Sequence, residues 1–443
     1  MNAISAAAGT RAYDITQTMR PQETNSTSSR TSEKSRAAWL AQLSSRERIA
    51  LLATFSGWAV DGLDVMVYSF VIPTLIAEWH IDKAQAGILG TVALLFSAAG
   101  GWVAGILADF FGRALMLRIT VIWFSVFTFL SGLTNSFWPL LVVRSLQGVG
   151  FGGEWAVGAV MMAEVIRAEH RGKAVGTLQS GWAIGWGAAA IAYVFLFRWL
   201  PVNLAWRAMF WIGLLPGLLV LYVRTKVREP EVFLATVRTR ADQVAGFLEI
   251  FNPSILRTTV LASLMALGAQ GGYYAITTWL PTYLRNQRGL SVIDTGAYLF
   301  VVIVGSFVGY LVSAYLADTL GRKPTLILFA FCCLLSVSAY SLLTGTDRIT
   351  LVLGFVLGFF ASGVFSPIGA FLAELFPTRV RGSGQGFCYN VGRALGALFP
   401  TLVGILSTRV PLGTAITGFA ALAYLIMIGS VLLLPETRRK ELG

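Results

Sequence analysis

Two carboxylates lie inside an apolar run near the start of the chain, at residues 49–77. On a helix, Asp61 and Asp64 are three residues apart and Tyr68 is four further on, so the three side chains share one face. A charged side chain at membrane depth costs about 3 kcal/mol or more, and it therefore needs a partner, a proton or a water-filled cavity. Pairing that only packs two helices is the simpler alternative. Two such groups one turn apart favour a transport pathway with Asp61 and Asp64 as proton-coupling residues.

Arg144 lies in a later apolar run, at a depth similar to that of Asp64. At 1.5 Å per residue, Asp64 lies roughly 22 Å and Arg144 roughly 21 Å from the inner face of a bilayer core. A guanidinium binds a carboxylate through two parallel hydrogen bonds, so Arg144 can neutralise a helix-one carboxylate or bind a substrate anion. A structural helix anchor is the alternative. Glu154, ten residues further on, is either another proton site or a partner for another helix, and Gln147 shares its face.

Arg393 lies near mid-membrane in the second half of the chain, one helical turn from Asn390. No acidic residue lies near the centre of a predicted span in that half. A cation beside an amide there indicates an anion-binding position, with a structural pairing as the alternative. Other polar and aromatic side chains can line the same cavity or merely pack. The further cavity residues predicted are Tyr68, Gln147, Gln179, Gln270 and Tyr274.

The composition is that of an integral membrane protein: 56% of the 443 residues are hydrophobic and 13% are charged. Soluble domains carry about 25% charged residues. A helix needs about 20 apolar residues to cross the hydrocarbon, and twelve such runs can be counted. Their approximate limits are 49–77, 85–108, 114–133, 137–163, 173–198, 206–225, 257–284, 296–317, 324–345, 349–373, 384–408 and 413–434. The sequence therefore predicts an all-α membrane protein with twelve transmembrane helices.

A charged segment at 226–256 is the longest break between these runs, and it separates two six-helix bundles at 49–225 and 257–434. Residues 1–48 are expected to form a disordered cytoplasmic tail, and residues 435–443 a second tail. Most of the 34 Lys and Arg residues fall on the same side as the N-terminus, which predicts cytoplasmic termini. This asymmetry accounts for the net charge of +12 without a nucleic acid partner.

Cofactor and catalytic chemistry find little support in the sequence. The three cysteines have no paired spacing and the two histidines lie at the ends of apolar runs. We therefore expect neither a metal site nor a His-based catalytic centre. No phosphate-binding loop G-x-x-x-x-G-K-[ST] is present, which argues against ATP as the energy source. The expectation is a protein without a cofactor and without enzymatic activity.

Two charged motifs recur in the second half of the chain at nearly the same offset. Asp109 with Arg113 returns as Asp318 with Arg322, and Glu164 with Arg171 returns as Glu374 with Arg381. The recurrence indicates a duplicated six-helix unit whose two copies share one orientation. These charged residues are predicted to form breakable latches at the cytoplasmic face, with a solvated charge cluster as the alternative. The predicted gate residues are Asp109, Arg113, Glu164, Arg171, Asp318, Arg322, Glu374 and Arg381.

The motifs resemble those of the major facilitator superfamily, over about residues 49–440. Gly105–Arg113 matches the family pattern G-x-x-x-D-x-x-G-R between helices two and three, and Arg144–Gly150 is similar to its fourth-helix pattern R-x-x-Q-G-x-G. Asp61–Asp64 resembles the D-G-x-D of aromatic acid:proton symporters, whereas Phe151–Trp155 is more similar to sialate and monocarboxylate:proton symporters. The resemblance implies the major facilitator fold, with helices one and four together at a central cavity. It would bring an Asp64–Arg144 contact within reach.

The function predicted is secondary active transport: import, together with protons, of an organic carboxylate such as an aromatic acid or small monocarboxylate. A sialic or sugar acid and a dicarboxylate are alternative substrates. Proton-coupled efflux of drugs or metabolites, a receptor that has lost transport and a membrane-embedded enzyme are alternative functions. The expected partners are the organic anion, protons and the lipid bilayer, with the chain acting as a monomer in a bacterial inner membrane.

Overall fold

The computed structural model describes residues 42–165, 168–214, 217–218, 248–343, 347–377 and 380–437. The chain divides into two units, Met1–Leu43 and Ser44–Gly443, and every element described below belongs to the second. Within the described ranges the regular structure is helical and contains no strand. The predicted all-α class is therefore observed. The larger part of both predicted tails and of the central loop lies outside the described residues.

The helices form two groups in the chain, separated by residues 219–247, which lie outside the described residues. In the first half they are α1 (Ser45–Trp79), α2 (Lys83–Phe111), α3 (Arg113–Ser131), α4 (Phe137–Val165), α5 (Ala168–Trp199) and α6 (Val202–Ile212). In the second half they are α7 (Pro253–Thr282), α8 (Val292–Thr319), α9 (Arg322–Leu342), α10 (Asp347–Gly363), α11 (Phe365–Leu375), α12 (Arg381–Gly396), α13 (Phe399–Leu406) and α14 (Leu412–Leu433). A 3-10 turn, Glu249–Phe251, precedes α7, and a π turn, Tyr283–Gln287, follows it.

Eight helical segments of the described chain are long and apolar enough to cross a membrane. Two of these segments each contain two consecutive helices, α10 with α11 and α12 with α13. Each pair corresponds to one predicted span. The helices α3, α4 and α7 coincide with three further predicted spans. The sixth predicted span, 206–225, runs beyond the described residues.

Local sequence explains where several helices begin. The Ser44 hydroxyl accepts a hydrogen bond from the Glu47 amide at 3.2 Å, while the Glu47 carboxylate accepts one from the Ser44 amide at 2.8 Å. Asp82 and Gln85 form the same reciprocal capping box at the start of α2. Each box satisfies two amides that the first helical turn leaves unpaired.

The repeated Gly-Arg pair has a conformational cause. Gly112, between α2 and α3, has φ of 98°, and Gly321, between α8 and α9, has φ of 118°. Residues that have a Cβ atom rarely adopt such backbone angles, so the sharp turn between these helices requires glycine. The two glycines lie 209 residues apart, since 321 − 112 = 209. The turn is thus a structural feature of both halves.

Matching helix pairs pack together in the two halves. The pairs α2–α4, α1–α5 and α3–α4 of the first half correspond to α8–α10, α7–α12 and α9–α10 of the second. Glycines permit the closest approaches, because Gly152 lies against the backbone of Ser97 in α2 and Gly358 against that of Val302 in α8. The halves meet where α5 packs on α8, α2 on α12 and α13, and α1 on α7. This arrangement positions the polar side chains of α1, α4, α7 and α12 near one another.

Candidate functional site

A pocket lies between α1, α2, α4 and α7 and contains charged residues predicted for the first half. The residues that line it are Asp64, Val65, Tyr68, Ser69, Gly90, Ala93, Leu94, Arg144, Gln147, Gly148, Phe151 and Thr278. Its cavity volume of about 20 Å³ has room for one or two water molecules. An organic anion therefore needs a wider state of the same pocket.

Asp64 is held by hydrogen bonds from two other helices. Its Oδ1 accepts a hydrogen bond from the Thr128 hydroxyl of α3, and its Oδ2 accepts one from Gln147 Nε2 of α4, both at 2.5 Å. Gln147 Nε2 also donates to the Thr128 hydroxyl at 2.8 Å. The Asp64 residue is 3% exposed, so these donors replace the water that would otherwise solvate its carboxylate.

Arg144 reaches Asp64 through the side chain of Gln147. The Arg144 Nη1 donates to Gln147 Oε1 at 2.9 Å, and the amide of the same side chain donates to Asp64. The guanidinium also lies 4.5 Å from the centre of the Tyr68 ring, whose hydroxyl donates to the Ala86 carbonyl. The predicted direct Asp64–Arg144 contact is thus replaced by a bridge, because the Gln147 side chain hydrogen-bonds to both charged groups.

The Nε donor of Arg144 has no acceptor in this arrangement. The Nε atom is buried and makes no hydrogen bond. A buried donor without an acceptor is costly, by about 1 to 3 kcal/mol. The unbonded donor and the pocket that Arg144 lines make this guanidinium a candidate site for a planar carboxylate.

Arg393 forms a second centre, in α12, with a different set of neighbours. Its Nε donates to Gln270 Oε1 of α7 at 3.4 Å, and its guanidinium lies 5.1 Å from the Tyr389 ring centre. Gln270 also accepts from the Tyr274 hydroxyl at 3.3 Å and donates to the Tyr389 carbonyl at 2.9 Å. Arg393 is 1% exposed, so amide and phenol groups surround a fully buried cation.

Two polar atoms near this second centre have no hydrogen-bond partner. They are Arg393 Nη1 and Asn390 Oδ1, which belong to neighbouring turns of α12. Asp61, from α1 of the other half, lies within electrostatic range of Arg393. Asp64 thus lines the Arg144 pocket, and Asp61 is close enough to Arg393 to interact with its charge.

The sequence predicted one shared cavity, and the pocket described here is lined by some of its predicted members. Arg393, Asn390, Gln270 and Tyr274 do not line the Arg144 pocket. Gln179 of α5 is buried but lies outside the pocket as well. The side chains of Glu154, Asp109, Arg113, Glu164 and Arg171 lie outside the described part of the structure.

The gate residues of the second half that the structure describes meet at one end of the bundle. Arg322 lies 2.5 Å from the Asp318 carboxylate and 3.2 Å from that of Glu374, which accepts a further hydrogen bond from the Thr437 hydroxyl. Arg381 Nε donates to the Ala373 carbonyl at 2.9 Å. The predicted Asp318–Arg322 pair is present, and Glu374 shares the same arginine.

Phe151, Thr278 and Thr128 are among the residues of the site that sequence reasoning missed. Phe151 is seven residues after Arg144 and four after Gln147, so helical spacing could have placed it on the same face. Thr278 likewise follows Tyr274 by four residues and brings α7 to the pocket. Thr128 carries no comparable signal, because threonines are common in apolar helices and no motif marks this one.

A duplicated bundle of apolar helices with buried charges around a central pocket defines a class of membrane transporters. Residues 54–400 match the Major Facilitator Superfamily. The chain belongs to that family, so it is a multi-pass membrane transporter and not an enzyme. The resemblance seen in the loop and fourth-helix motifs is thereby confirmed.

Known relatives and a solved structure agree with this assignment. The chain is 45% identical over 401 residues to the probable 4-methylmuconolactone transporter of Cupriavidus pinatubonensis, covering 90% of this chain and 93% of that one. It is 30% identical to the cis,cis-muconate transport protein of Acinetobacter baylyi, covering 84% and 91%. The inward open xylose transporter XylE of E. coli has the same fold, with a TM-score of 0.73 at 18% identity over 88% of this chain and 97% of that one.

Proposed function

We propose that the protein imports an organic carboxylate together with protons. The observation that carries this proposal is the Arg144 pocket, in which a buried guanidinium with an unused Nε adjoins a buried carboxylate. The cation can bind the substrate anion, and the carboxylate can bind the proton. Gln147 is hydrogen-bonded to both Arg144 and Asp64. A change in the charge of one of these groups therefore affects the other through two hydrogen bonds.

Coupling follows from the charge balance of this pocket. When Asp64 is ionised, its negative charge is shared through Gln147 with Arg144, and a substrate carboxylate would add a second negative charge. Protonation of Asp64 removes the first negative charge, so the incoming carboxylate becomes the only counter-ion of Arg144. Proton binding and anion binding then favour each other, as a symporter requires.

The relatives support an organic acid as substrate, since two of them are named as transporters of 4-methylmuconolactone and cis,cis-muconate. The aromatic ring of Phe151 and the apolar Ala93 and Leu94 can enclose the carbon skeleton of such an acid. We propose an aromatic acid or small monocarboxylate first, and a dicarboxylate or sugar acid as the alternative. The second centre, with Arg393, Asn390, Gln270 and Tyr274, is proposed as a further substrate contact.

The remaining assignments are proposals of the same kind. Asp61 and Glu154 are further proton-coupling residues, and Gln179 is a cavity residue. The Asp318–Arg322–Glu374 cluster is a latch at the cytoplasmic face, whose pairs break and form as the halves rock. Both termini are cytoplasmic, and the chain acts as a monomer in a bacterial inner membrane.

Uptake into proteoliposomes under an imposed pH gradient tests the transport proposal. A panel of labelled benzoate, muconate, short monocarboxylates and sialic acid would be offered with the outside acidic. We expect accumulation of at least one acid above its outside concentration, and its collapse when a protonophore dissipates the gradient. Uptake that only equilibrates, or that is unchanged by the protonophore, would contradict proton coupling.

A further inference from the structure

The Arg393 centre holds a buried cation whose hydrogen bonds are incomplete. Its Nε donates a long hydrogen bond to a neutral amide, Gln270, and its Nη1 has no hydrogen-bond partner among the described residues. Hydrogen bonds to a charged acceptor are shorter and roughly twice as strong. A charged acceptor brought to this position from outside would therefore form a stronger hydrogen bond than the Gln270 amide does.

Aromatic rings compensate for the missing acceptor in this state. The Phe151 ring centre lies 5.2 Å from the Arg393 guanidinium, and the same side chain lines the Arg144 pocket. Cation–π attraction partly stabilises a desolvated guanidinium, but it is directed at a ring face and leaves N–H donors unfilled. Phe151 is thus in contact with both centres: with the Arg144 pocket by lining it, and with Arg393 through its ring.

The backbone that carries Phe151 is packed closely against α2. The adjacent Gly152 and the nearby Gly148 lie directly against the backbone of α2, so this part of α4 cannot approach α2 any further. Rotation of the ring about its side-chain bonds is therefore the simplest way to open a path from the pocket to Arg393. A ligand group that binds Arg393 more strongly than the ring does would provide the driving force.

We propose that the transported acid has two acceptor groups, a carboxylate that binds Arg144 and a second carboxylate or carbonyl oxygen that binds Arg393 once the Phe151 ring has turned aside. The inference rests on the proposed function of the Arg144 pocket, and because of the Arg393 centre it favours the alternative substrate named there, an acid with a second acceptor group, over a simple monocarboxylate. A compact dicarboxylic acid or an acid with a lactone carbonyl meets this requirement. A simple monocarboxylate fills only the first position.

A matched pair of ligands tests this inference whichever acid is the natural substrate. Muconate in its trans,trans form and sorbate share the same six-carbon diene skeleton, and they differ in whether the far end is a carboxylate or a methyl group. Dissociation constants would be measured by calorimetry on the purified full chain in detergent at pH 7. We expect the wild type to bind muconate at least tenfold more tightly than sorbate.

Substitutions at Arg393 test whether this residue causes the difference in affinity between the two acids. In Arg393→Gln the ratio of the two dissociation constants should fall to within twofold of one, and in Arg393→Lys, which keeps a charge without the planar fork, it should be intermediate. Arg348→Gln, at an exposed arginine of α10, is the matched control and should keep the wild-type ratio. Thermal melting of each variant shows whether it is folded, and the lysine variant serves if the glutamine variant is not.

The outcomes separate this inference from the proposed function. Equal affinities of the wild type for both acids, or an unchanged ratio in both Arg393 variants, would overturn the two-acceptor substrate. If Arg144→Gln then still loses binding of both acids, the Arg144 proposal stands by itself. If Arg144→Gln binds both acids normally, the proposed function fails instead. Binding of neither acid by the folded wild type at millimolar concentration would count against both.

Discussion

Arg144 in α4 and Arg393 in α12 are both almost fully buried, with 4% and 1% of their surfaces exposed. Their surroundings differ in charge. Arg144 is joined through Gln147 to the carboxylate of Asp64 on the first helix of its own half. Arg393 is bonded to the neutral Gln270 on the first helix of its own half, and its carboxylate neighbour, Asp61, comes from across the bundle.

The duplication makes this difference informative. Gln270 lies 209 residues after Asp61, since 270 − 61 = 209, the same offset that relates the two glycines of the repeated loops. The second half thus has an amide where the first half has a carboxylate. A neutral amide cannot exchange a proton at physiological pH. A shared helical frame can therefore hold anion-binding groups in both halves while the proposed proton-exchanging groups belong to the first half alone.

Removal of the Arg144 guanidinium should have the largest effect. Loss of one partner of a buried, hydrogen-bonded charge pair costs about 3 kcal/mol, which is roughly a hundredfold in affinity. We expect Arg144→Gln to weaken substrate binding by that factor and Arg144→Lys to weaken it substantially, because lysine lacks the planar fork. Calorimetry in detergent would measure both. An affinity within threefold of the wild type in folded protein would show that Arg144 is a structural anchor.

Neutralisation of Asp64 should remove coupling and retain exchange. A gradient of one pH unit corresponds to about 1.4 kcal/mol, or tenfold accumulation for one proton per substrate. We expect Asp64→Asn to reduce accumulation in proteoliposomes from about tenfold to none, while exchange of labelled for unlabelled substrate continues. Asp61→Asn is the matched variant, one turn away on α1. If Asp61→Asn uncouples and Asp64→Asn does not, the proton site lies with the Arg393 centre.

Thr128 tests how far the carboxylate depends on its neighbours. Thr128→Val keeps the shape of the side chain and removes the hydroxyl that donates to Asp64 Oδ1. A hydrogen bond to a buried group contributes about 1 kcal/mol, so proton-driven uptake should fall roughly fivefold. Thr120→Val is the control on the same helix, because the Thr120 hydroxyl donates to the Leu117 carbonyl of its own helix. Equal effects of the two substitutions would mean that α3 supports the fold and not the proton site.

Much of this arrangement could be predicted from the sequence, for reasons that are physical. Charges are so unfavourable in an apolar run that Asp61, Asp64, Arg144 and Arg393 stand out without any structure. The repeated loops can be identified from the sequence as well, since the Gly-Arg pairs mark turns whose backbone angles favour glycine. Rise per residue was sufficient to place Asp64 and Arg144 at one level, and they line one pocket.

The connections between those residues could not be predicted. Helical spacing shows which side chains share a face, but it does not show that Gln147 bridges Arg144 and Asp64. The relation between the two arginine centres depends on how the halves pack, because the ring of Phe151 in α4 reaches Arg393 in α12. Such long-range packing has no local signature in the chain. The depth of the charged residues in the membrane could therefore be predicted, whereas the contacts between their side chains could not.

Removal of one phenol oxygen from each centre gives the finest comparison and the smallest effects. Tyr274→Phe deletes a hydroxyl that donates to Gln270 at 3.3 Å, a long hydrogen bond between neutral groups. We expect a loss below about 0.5 kcal/mol, less than threefold in affinity. Tyr68→Phe deletes a hydroxyl that bonds the Ala86 carbonyl at 2.5 Å and fixes the ring beside the Arg144 guanidinium, so its effect should be larger.

The order of these two effects decides which centre is more tightly built. Both variants keep the ring, so calorimetry with the same acid compares single hydroxyl groups in the two halves. A larger loss in Tyr68→Phe would support a preorganised Arg144 pocket that receives the first carboxylate. A larger loss in Tyr274→Phe would reverse that order, since it would show that the phenol and amide shell of Arg393 determines affinity.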